Sequence, residues 1–287
     1  MINKKTIGII ILNYNDAVSS IHLVNLIHNF SSIDHIVVVD NCSPDGSIKQ
    51  MEKLADNKVD VIQSDRNGGY SYGNNFGAFY LIEKYNVDLL VVANPDVEFA
   101  EDFLIRIVSD MEKYHVKAAS GYMTMPTVTT PISIRSPQIN SFWRETLDCT
   151  VILKRFFPFR GNAIIRNTGI KFVEWIPGSL FIIESCVYQE LDGLDDHVFL
   201  FYEEQILGWK FLQSNYKMLI DTDISYLHNH SVSINKSIKR YGQIKQLYKS
   251  KYYFFTKYVK INKMQKFLMQ IVIFYGLHIR KLLYKVL

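Results

Sequence analysis

Four short, nearly uninterrupted runs of apolar and β-branched residues stand in the first hundred positions, and each ends on polar residues. They are Thr6–Leu12 (TIGIIIL), His35–Val39 (HIVVV), Val59–Gln63 (VDVIQ) and Asp88–Ala93 (DLLVVA). Segments of helical character lie between them: Ala17–Phe30, with Val18, Ile21, Val24 and Ile27 at helical spacing, then Ser47–Ala55 and Gly73–Tyr85. Strands that are apolar throughout, rather than alternating, belong to a sheet buried on both faces. Their alternation with helices implies parallel order. Ligands of such sheets bind beyond the carboxyl ends of the strands. Asn13-Tyr14-Asn15, Asp40-Asn41 and Asn94-Pro95-Asp96 stand at three of those ends.

The stretch from Met123 to Lys171 carries mixed signals. Met125–Pro131 and Ile134–Pro137 combine turn formers with β-branched residues and read as irregular strands or a mobile loop. Order returns with Val173–Ile183 (VEWIPGSLFII). Asp192–Asp196 follows as a turn, and Phe199–Leu212 as a helix that begins near Glu203-Glu204. Three cysteines, Cys42, Cys149 and Cys186, are odd in number and form no CxxC pair, so neither a disulfide framework nor a zinc site is indicated and the cytoplasm is the expected compartment. The apolar run ending at Leu12 is too short for a signal peptide, and no run of about 18 apolar residues predicts a spanning helix.

Charge divides the chain more sharply than composition does. From Lys236 to Leu287 there are 13 Lys or Arg and no Asp or Glu, which leaves 19 basic residues against 28 acidic ones in the rest. The expected organisation is therefore an acidic body, 1–235, with a ligand-binding half to about 100 and a second half from about 101, followed by a basic aromatic tail, 236–287.

Five groups of residues could carry chemistry, and each also has a plain structural reading. Asp40, with Asn41, could accept hydrogen bonds from a base imino group or ribose hydroxyls, but Asp-Asn-Cys-Ser-Pro-Asp-Gly is also rich in turn formers. In Asn94-Pro95-Asp96, the aspartate suits Mg²⁺ shared with substrate phosphates, while Asn-Pro is a common turn opener. Glu203-Glu204 lies amid aromatics that could raise the pKa of a general base, yet acidic residues also favour the first turn of a helix. His228-Asn229-His230 places two imidazoles on one face of a strand, suited to a metal or a diphosphate, although surface histidines are common. Asn67-Gly68-Gly69-Tyr70-Ser71-Tyr72-Gly73-Asn74-Asn75 would let backbone approach a ligand closely before a helix; it is neither a Walker loop nor a GxGxxG after the first strand.

The order of these pieces is more telling than any one of them. LNYN (12–15), VVVDNCSPDGS (37–47), RNGGYSYGNNFG (66–77), NPDV (94–97), WIPGSLFI (175–182), GLDDHVFLFYEE (193–204) and HNHSVS (228–233) together resemble glycosyltransferase family 2. Within it the chain looks most like the rhamnosyltransferase-like branch of bacterial surface polysaccharide synthesis. The resemblance implies a GT-A fold, a Rossmann-like and mostly parallel central sheet flanked by helices, with one nucleotide-sugar site. It implies that Tyr14 and Asp40 meet base and ribose, that Asn67, Gly69 and Asn74 line the nucleotide pocket, and that Asn94 and Asp96 stand in the metal motif. Asp96 would bind Mg²⁺ or Mn²⁺, with His228, or less readily His230, near the metal or diphosphate. Trp175, Gly178 and Ser179 would shape the acceptor side.

Two departures stand out. The family's Glu-Asp pair before the late helix is Glu203-Glu204 here, so Glu204 takes the place of the catalytic aspartate, with Glu203 next in line. Gln205-Ile206-Leu207-Gly208 also lacks the family's usual second aspartate. The implied reaction is inverting transfer of rhamnose from a thymidine donor, or of a hexose from a uridine donor, to a saccharide acceptor, lipid-linked in the simplest case. A nucleotide-sugar binding protein of the same fold, without turnover, is the alternative. A nucleotidyltransferase would need a glycine-rich basic loop after the first strand, where LNYND stands. The tail reads either as an interfacial helix that sets lysines against anionic lipid at the inner face of the membrane, or as a basic helical pair that packs on the body or forms a homodimer. No nucleic-acid partner is expected from an acidic body.

Overall fold

The structure of the protein is a computed structural model, which describes residues 2–126, 134–135, 139–151, 153–156, 163–229 and 240–286. The first half follows the apolar runs closely. Strands β1 (Ile7–Asn13), β2 (His35–Asp40), β3 (Val59–Gln63) and β4 (Leu89–Ala93) are parallel, in the order β3-β2-β1-β4. Helices α1 (Ala17–Ile27), α2 (Ser47–Met51) and α3 (Tyr70–Tyr85) connect them. Alternate residues of β1 serve different layers, as the two-residue period of a strand requires. Ile7, Ile9 and Ile11 pack with Leu23, Val24 and Ile27 of α1, while Ile10 packs with Ala78 and Leu81 of α3. Both faces are covered, which explains why the run is apolar throughout.

The second half departs from the simple parallel order. After β5 (Val97–Glu98), α4 (Glu101–Lys113) and β6 (Ala118–Thr124) come the short strands β7 (Ile134–Arg135) and β8 (Ala163–Ile164), which pair with each other, and helix α5 (Phe142–Cys149) between them. The expectation of irregular strands is met at this pair; residues 127–133 and 136–138 lie outside the described residues. Next come β9 (Ile170–Val173), β10 (Leu180–Glu184), α6 (Ser185–Glu190), α7 (Glu203–Gln213) and β11 (Met218–His228). Strand β10 enters the sheet between β4 and β6 and is antiparallel to both, with Leu180 opposite Ala93. The sheet is thus parallel in its first half and mixed in its second. Reading VEWIPGSLFII as one ordered run misses the break at 174–179, which separates β9 from β10. This antiparallel entry starts β10 at the rim where β4 ends, so residues 175–179 lie on the same rim as Asn94.

The basic tail forms two helices, α8 (Arg240–Lys257) and α9 (Lys263–Val286). Phe254, Phe255, Ile261 and Met269 form a third apolar cluster with Phe142 of α5, Val198, Tyr202 and Ile206. Lys251, only 2% exposed, is held by Glu145 at 2.5 Å and Asp148 at 3.3 Å. The tail therefore packs on the body through α8, as one of the two sequence readings had it. The composition shift at 231–236 lies outside the described residues.

Candidate active site

The strand ends of the first half are tied together by buried amides and carboxylates. The side chain of Asn13, last in β1, donates to Asp40 Oδ1 at 2.8 Å and to Ser43 Oγ at 3.2 Å. Asp40 Oδ2 accepts from the Ser43 amide and from Gln63 Nε2. Asp40 is fully buried and braces three loops. Asn41 donates to Asn67 Oδ1 and to the Gly69 carbonyl, and accepts from Ser64. The chain leaves β1 and β2 through left-handed residues, Asn15 (φ 56°) and Cys42 (φ 57°). Non-glycine residues rarely adopt that region, and such strain concentrates at functional sites. Half-buried Tyr14 lies in the first of these loops.

Gly69 caps α3 with φ +92°, and a side chain there would meet the Phe199 carbonyl oxygen at 2.2 Å. The Tyr70 amide donates to that same carbonyl at 2.9 Å. Only glycine allows this crossing, which presses the start of α3 against the loop leading to Glu203. It also explains why α3 begins three residues before Gly73. Asn74 is fully buried; its Nδ2 bonds the Tyr70 carbonyl, and its Oδ1 has no hydrogen-bond partner among the described residues.

Asn94-Pro95-Asp96 does form a turn, with the Val97 amide on the Asn94 carbonyl at 3.4 Å, so the plain structural reading holds. The turn also aims Asp96 at His228, whose Nε2 lies 3.2 Å from Asp96 Oδ1. Strand β11 delivers His228 through its pairing with β5, opposite Val97. One hard carboxylate oxygen with one imidazole nitrogen matches a site that holds Mg²⁺ or Mn²⁺ together with substrate oxygens, so the residues present fit a divalent cation. His230 lies outside the described residues. A second cluster, Asp195, Asp196 and His197, has ligand atoms within 4.8 Å of one another. Asp195 is already engaged: Tyr253 and Tyr258 donate to its Oδ2, and the His197 amide to its Oδ1. Burial raises the Asp195 pKa, but these donors outweigh it and hold the carboxyl below its usual range. That carboxylate clamps the tail.

Glu203 and Glu204 open α7 directly after two consecutive left-handed residues, Phe201 (φ 68°) and Tyr202 (φ 75°). Their environments differ. Glu203 is 6% exposed and its Oε2 has no hydrogen-bond partner among the described residues. Burial, and then the neighbouring Glu204 charge, push its pKa well above the carboxylate range. Glu204 is half-buried; burial raises its pKa, opposed by backbone hydrogen bonds at Glu204 itself and at Gly178. The pair therefore ionises first at Glu204, with Glu203 holding the proton. Gly178 lies so close that a side chain added there would stand 3.0 Å from Glu204 Oε1.

These pieces meet at one rim. The Asn94 amide donates to the Ser179 carbonyl at 2.8 Å, next to the Gly178 that packs on Glu204. Ser179 Oγ is 2.7 Å from the Tyr226 hydroxyl, and Tyr70 OH donates to the Gly178 carbonyl. Gly178 and Ser179 are buried and build the rim, while Trp175 is half-buried beside it. Sequence reasoning gave no individual role to Asn13, Gln63, Tyr70 or Tyr226. The first three sit in or beside the recognised segments; Tyr226 carries no local signal at all.

The description Glycosyl transferase family 2 matches residues 8–171. The chain is 26% identical over 237 residues to the low-salt glycan biosynthesis hexosyltransferase Agl10 of Haloferax volcanii, covering 79% of this chain and 68% of that one. It is 23% identical over 207 residues to the O-antigen chain rhamnosyltransferase WbaN of Salmonella anatum, covering 72% of this chain and 60% of that one. Among solved structures it is similar to the mannosyltransferase PcManGT of Pyrobaculum calidifontis in complex with GDP-Man and Mn²⁺, with a TM-score of 0.58 at 14% identity over 96% of this chain and 70% of that one. It is also similar to GalNAc-T7 with UDP, GalNAc and Mn²⁺, with a TM-score of 0.63 at 14% identity over 96% of this chain and 56% of that one. At such identity these two likenesses show the fold, which is that of the GT-A enzymes.

Proposed function

We propose that this chain, which belongs to glycosyltransferase family 2, is a metal-dependent inverting transferase that moves a sugar from a nucleoside-diphosphate donor to a saccharide acceptor of a cell-surface glycan. The observation that carries this reading is the junction at 178–179. There the turn bearing Asp96 is hydrogen-bonded to the segment that packs on Glu204, which supports reading Asp96 as the metal carboxylate and Glu204 as the base of one site.

In this reading the loops braced by Asp40 and Asn41 hold the nucleoside near Tyr14, Asn67 and Gly69, with Asn94 beside the diphosphate. Asp40 and Asn74, both fully buried, act by fixing those loops. Asp96 and His228 would hold Mg²⁺ or Mn²⁺, which when bound would offset negative charge on the leaving diphosphate. Glu204, ionised and partly desolvated, accepts the proton of an acceptor hydroxyl oriented by Trp175 and the 178–179 backbone. That oxygen bonds to the anomeric carbon as the bond to the diphosphate oxygen breaks on the opposite face, so a single displacement inverts the centre. Candidate donors are dTDP-rhamnose and UDP-hexoses. The acceptor is lipid-linked, and the site of action is the cytoplasmic face of the membrane.

A thermal-shift screen of nucleotide sugars with and without Mn²⁺, followed by a transfer assay with the best donor, tests this. Metal-dependent stabilisation by one donor class with transfer supports it. Donor binding without transfer or hydrolysis for any acceptor class would instead assign the chain as a binding protein of the same fold, the alternative that the Glu-Glu pair raises.

A further inference from the structure

Helix α9 is packed on one side only. Met269 is fully buried and Ile273 packs against the same cluster, whereas the opposite side shows Met264, Phe267, Ile271, Phe274, Tyr275 and Leu282 to solvent. Their spacings of three, four, three, one and seven residues keep all six within about 100° of arc, one stripe along the helix. Phe267 is 65% exposed and Phe274 57%. The 18 helical steps from Met264 to Leu282 extend about 27 Å at the α-helical rise. A continuous apolar stripe of that kind on a soluble protein marks an interaction surface.

Charge identifies the occupant. At 100° per residue, Lys263 and Lys281 fall on one edge of the stripe, and both are exposed. Lys245, Lys249, Lys257 and Lys260 are exposed on α8 and in the connection. No acidic residue occurs from 236 to 287 to offset them. A second copy docked through the same face would set one basic helix against another, since a two-fold interface brings each patch against itself. No helix among the described residues is long and apolar enough to cross a membrane, so a lipid partner must be met lying down. We propose that the outward face of α9 docks in the plane of an anionic lipid bilayer, with its aromatics among the acyl chains and its lysines at the headgroups.

The docked helix is joined to the catalytic loop. Tyr253 and Tyr258 of the tail bond Asp195, Ser250 bonds the Leu200 carbonyl, and Phe254 packs on Tyr202, directly before Glu203. Membrane docking would thus hold the base-bearing loop at a fixed height above the lipid surface. That use rests on the proposed lipid-linked acceptor; the docking itself is measured without turnover, so either reading can fail alone.

The test is flotation of the full chain with vesicles of phosphatidylcholine alone and with a quarter phosphatidylglycerol. The double variant Phe267→Glu/Phe274→Glu and the charge variant Lys263→Glu/Lys281→Glu are compared with wild type, all four positions being exposed. Wild type is expected to float with anionic vesicles and to partition at least tenfold less onto neutral ones. The apolar variant should lose at least tenfold on anionic vesicles and the charge variant severalfold, with far-UV circular dichroism and thermal midpoint unchanged. Equal partitioning of the apolar variant, or equal binding to neutral vesicles, overturns the proposal. So does a wild-type dimer in sedimentation that the apolar variant dissociates while wild type does not float.

Discussion

Replacing Glu203 by glutamine removes a titrating group without changing its shape, and the structure says what should follow. The carboxyl is 6% exposed, one oxygen lacks a hydrogen-bond partner among the described residues, and burial with the adjacent Glu204 charge raises its pKa well above the ordinary carboxylate range. Between its unfolded and folded pKa values, the folded protein holds a proton that the unfolded chain has released. Stability therefore falls as pH rises through this window, by about 1.36 kcal/mol per pH unit for one group. The Glu203 contribution is fully present below pH 4.5 and is lost progressively above it. Glutamine mimics the protonated acid and has no such slope. Relative to wild type, the Glu203→Gln variant should gain stability as pH rises above 4.5, at up to about 1.36 kcal/mol per pH unit. Urea unfolding of both proteins at pH 5.5, 6.5 and 7.5 measures it. The variant should also keep most of its transfer activity, because glutamine resembles the form in which Glu203 stands beside an ionised Glu204. Parallel pH slopes for the two proteins would show Glu203 ionised in the folded state and refute the assignment of the proton. A loss of turnover as large as that of the Glu204 variant would move the base to Glu203.

Glu204→Gln should lower kcat by about two orders of magnitude or more, the lower end of what general-base help supplies, with donor affinity retained in calorimetry. Because burial raises the Glu204 pKa, wild-type activity should fall on the acid side above the usual carboxylate range, a limb that a pH–rate profile locates. Asp96→Ala should weaken Mn²⁺-dependent donor binding by about tenfold or more, or about 1.4 kcal/mol, in titrations with and without the metal; identical metal dependence would remove Asp96 from the site. Lys251→Met leaves the Glu145 carboxylate without its buried cation and should cost about 3 kcal/mol in urea unfolding, with the tail loosening first.

Deletion of residues 236–287 is a poor probe of the tail's role. It would uncover Val198, Tyr202 and Ile206 and free Asp195, so it would damage the loop before Glu203 whatever the tail binds. The exposed positions of α9 separate the two effects.

The strands of the first half were legible because their signal is local. A run such as TIGIIIL can only be a strand with both faces covered, and β1, β2, β3 and β4 lie within a residue or two of the sequence reading. Polar residues at their ends lie at one rim because parallel strands share a direction. Turn formers at 40–46 and 94–96 were legible too, and they proved to be turns. The sequence order of motifs pointed to the family and its fold. Other features depend on contacts between distant residues, which no local pattern encodes. The antiparallel entry of β10 decides that Ser179 meets Asn94. The pairing of β11 with β5 brings His228 to Asp96 across 132 positions of chain. Gly69 crossing Phe199 sets the start of α3 against the loop before Glu203. Glu203 and Glu204 are chemically identical and adjacent, and the sequence alone could not rank them; the fold separates them, since Glu203 is buried while Glu204 is half-buried against Gly178. The tail's composition likewise fitted either packing or lipid contact, and only the tertiary structure shows which face of each helix is covered and which is left open.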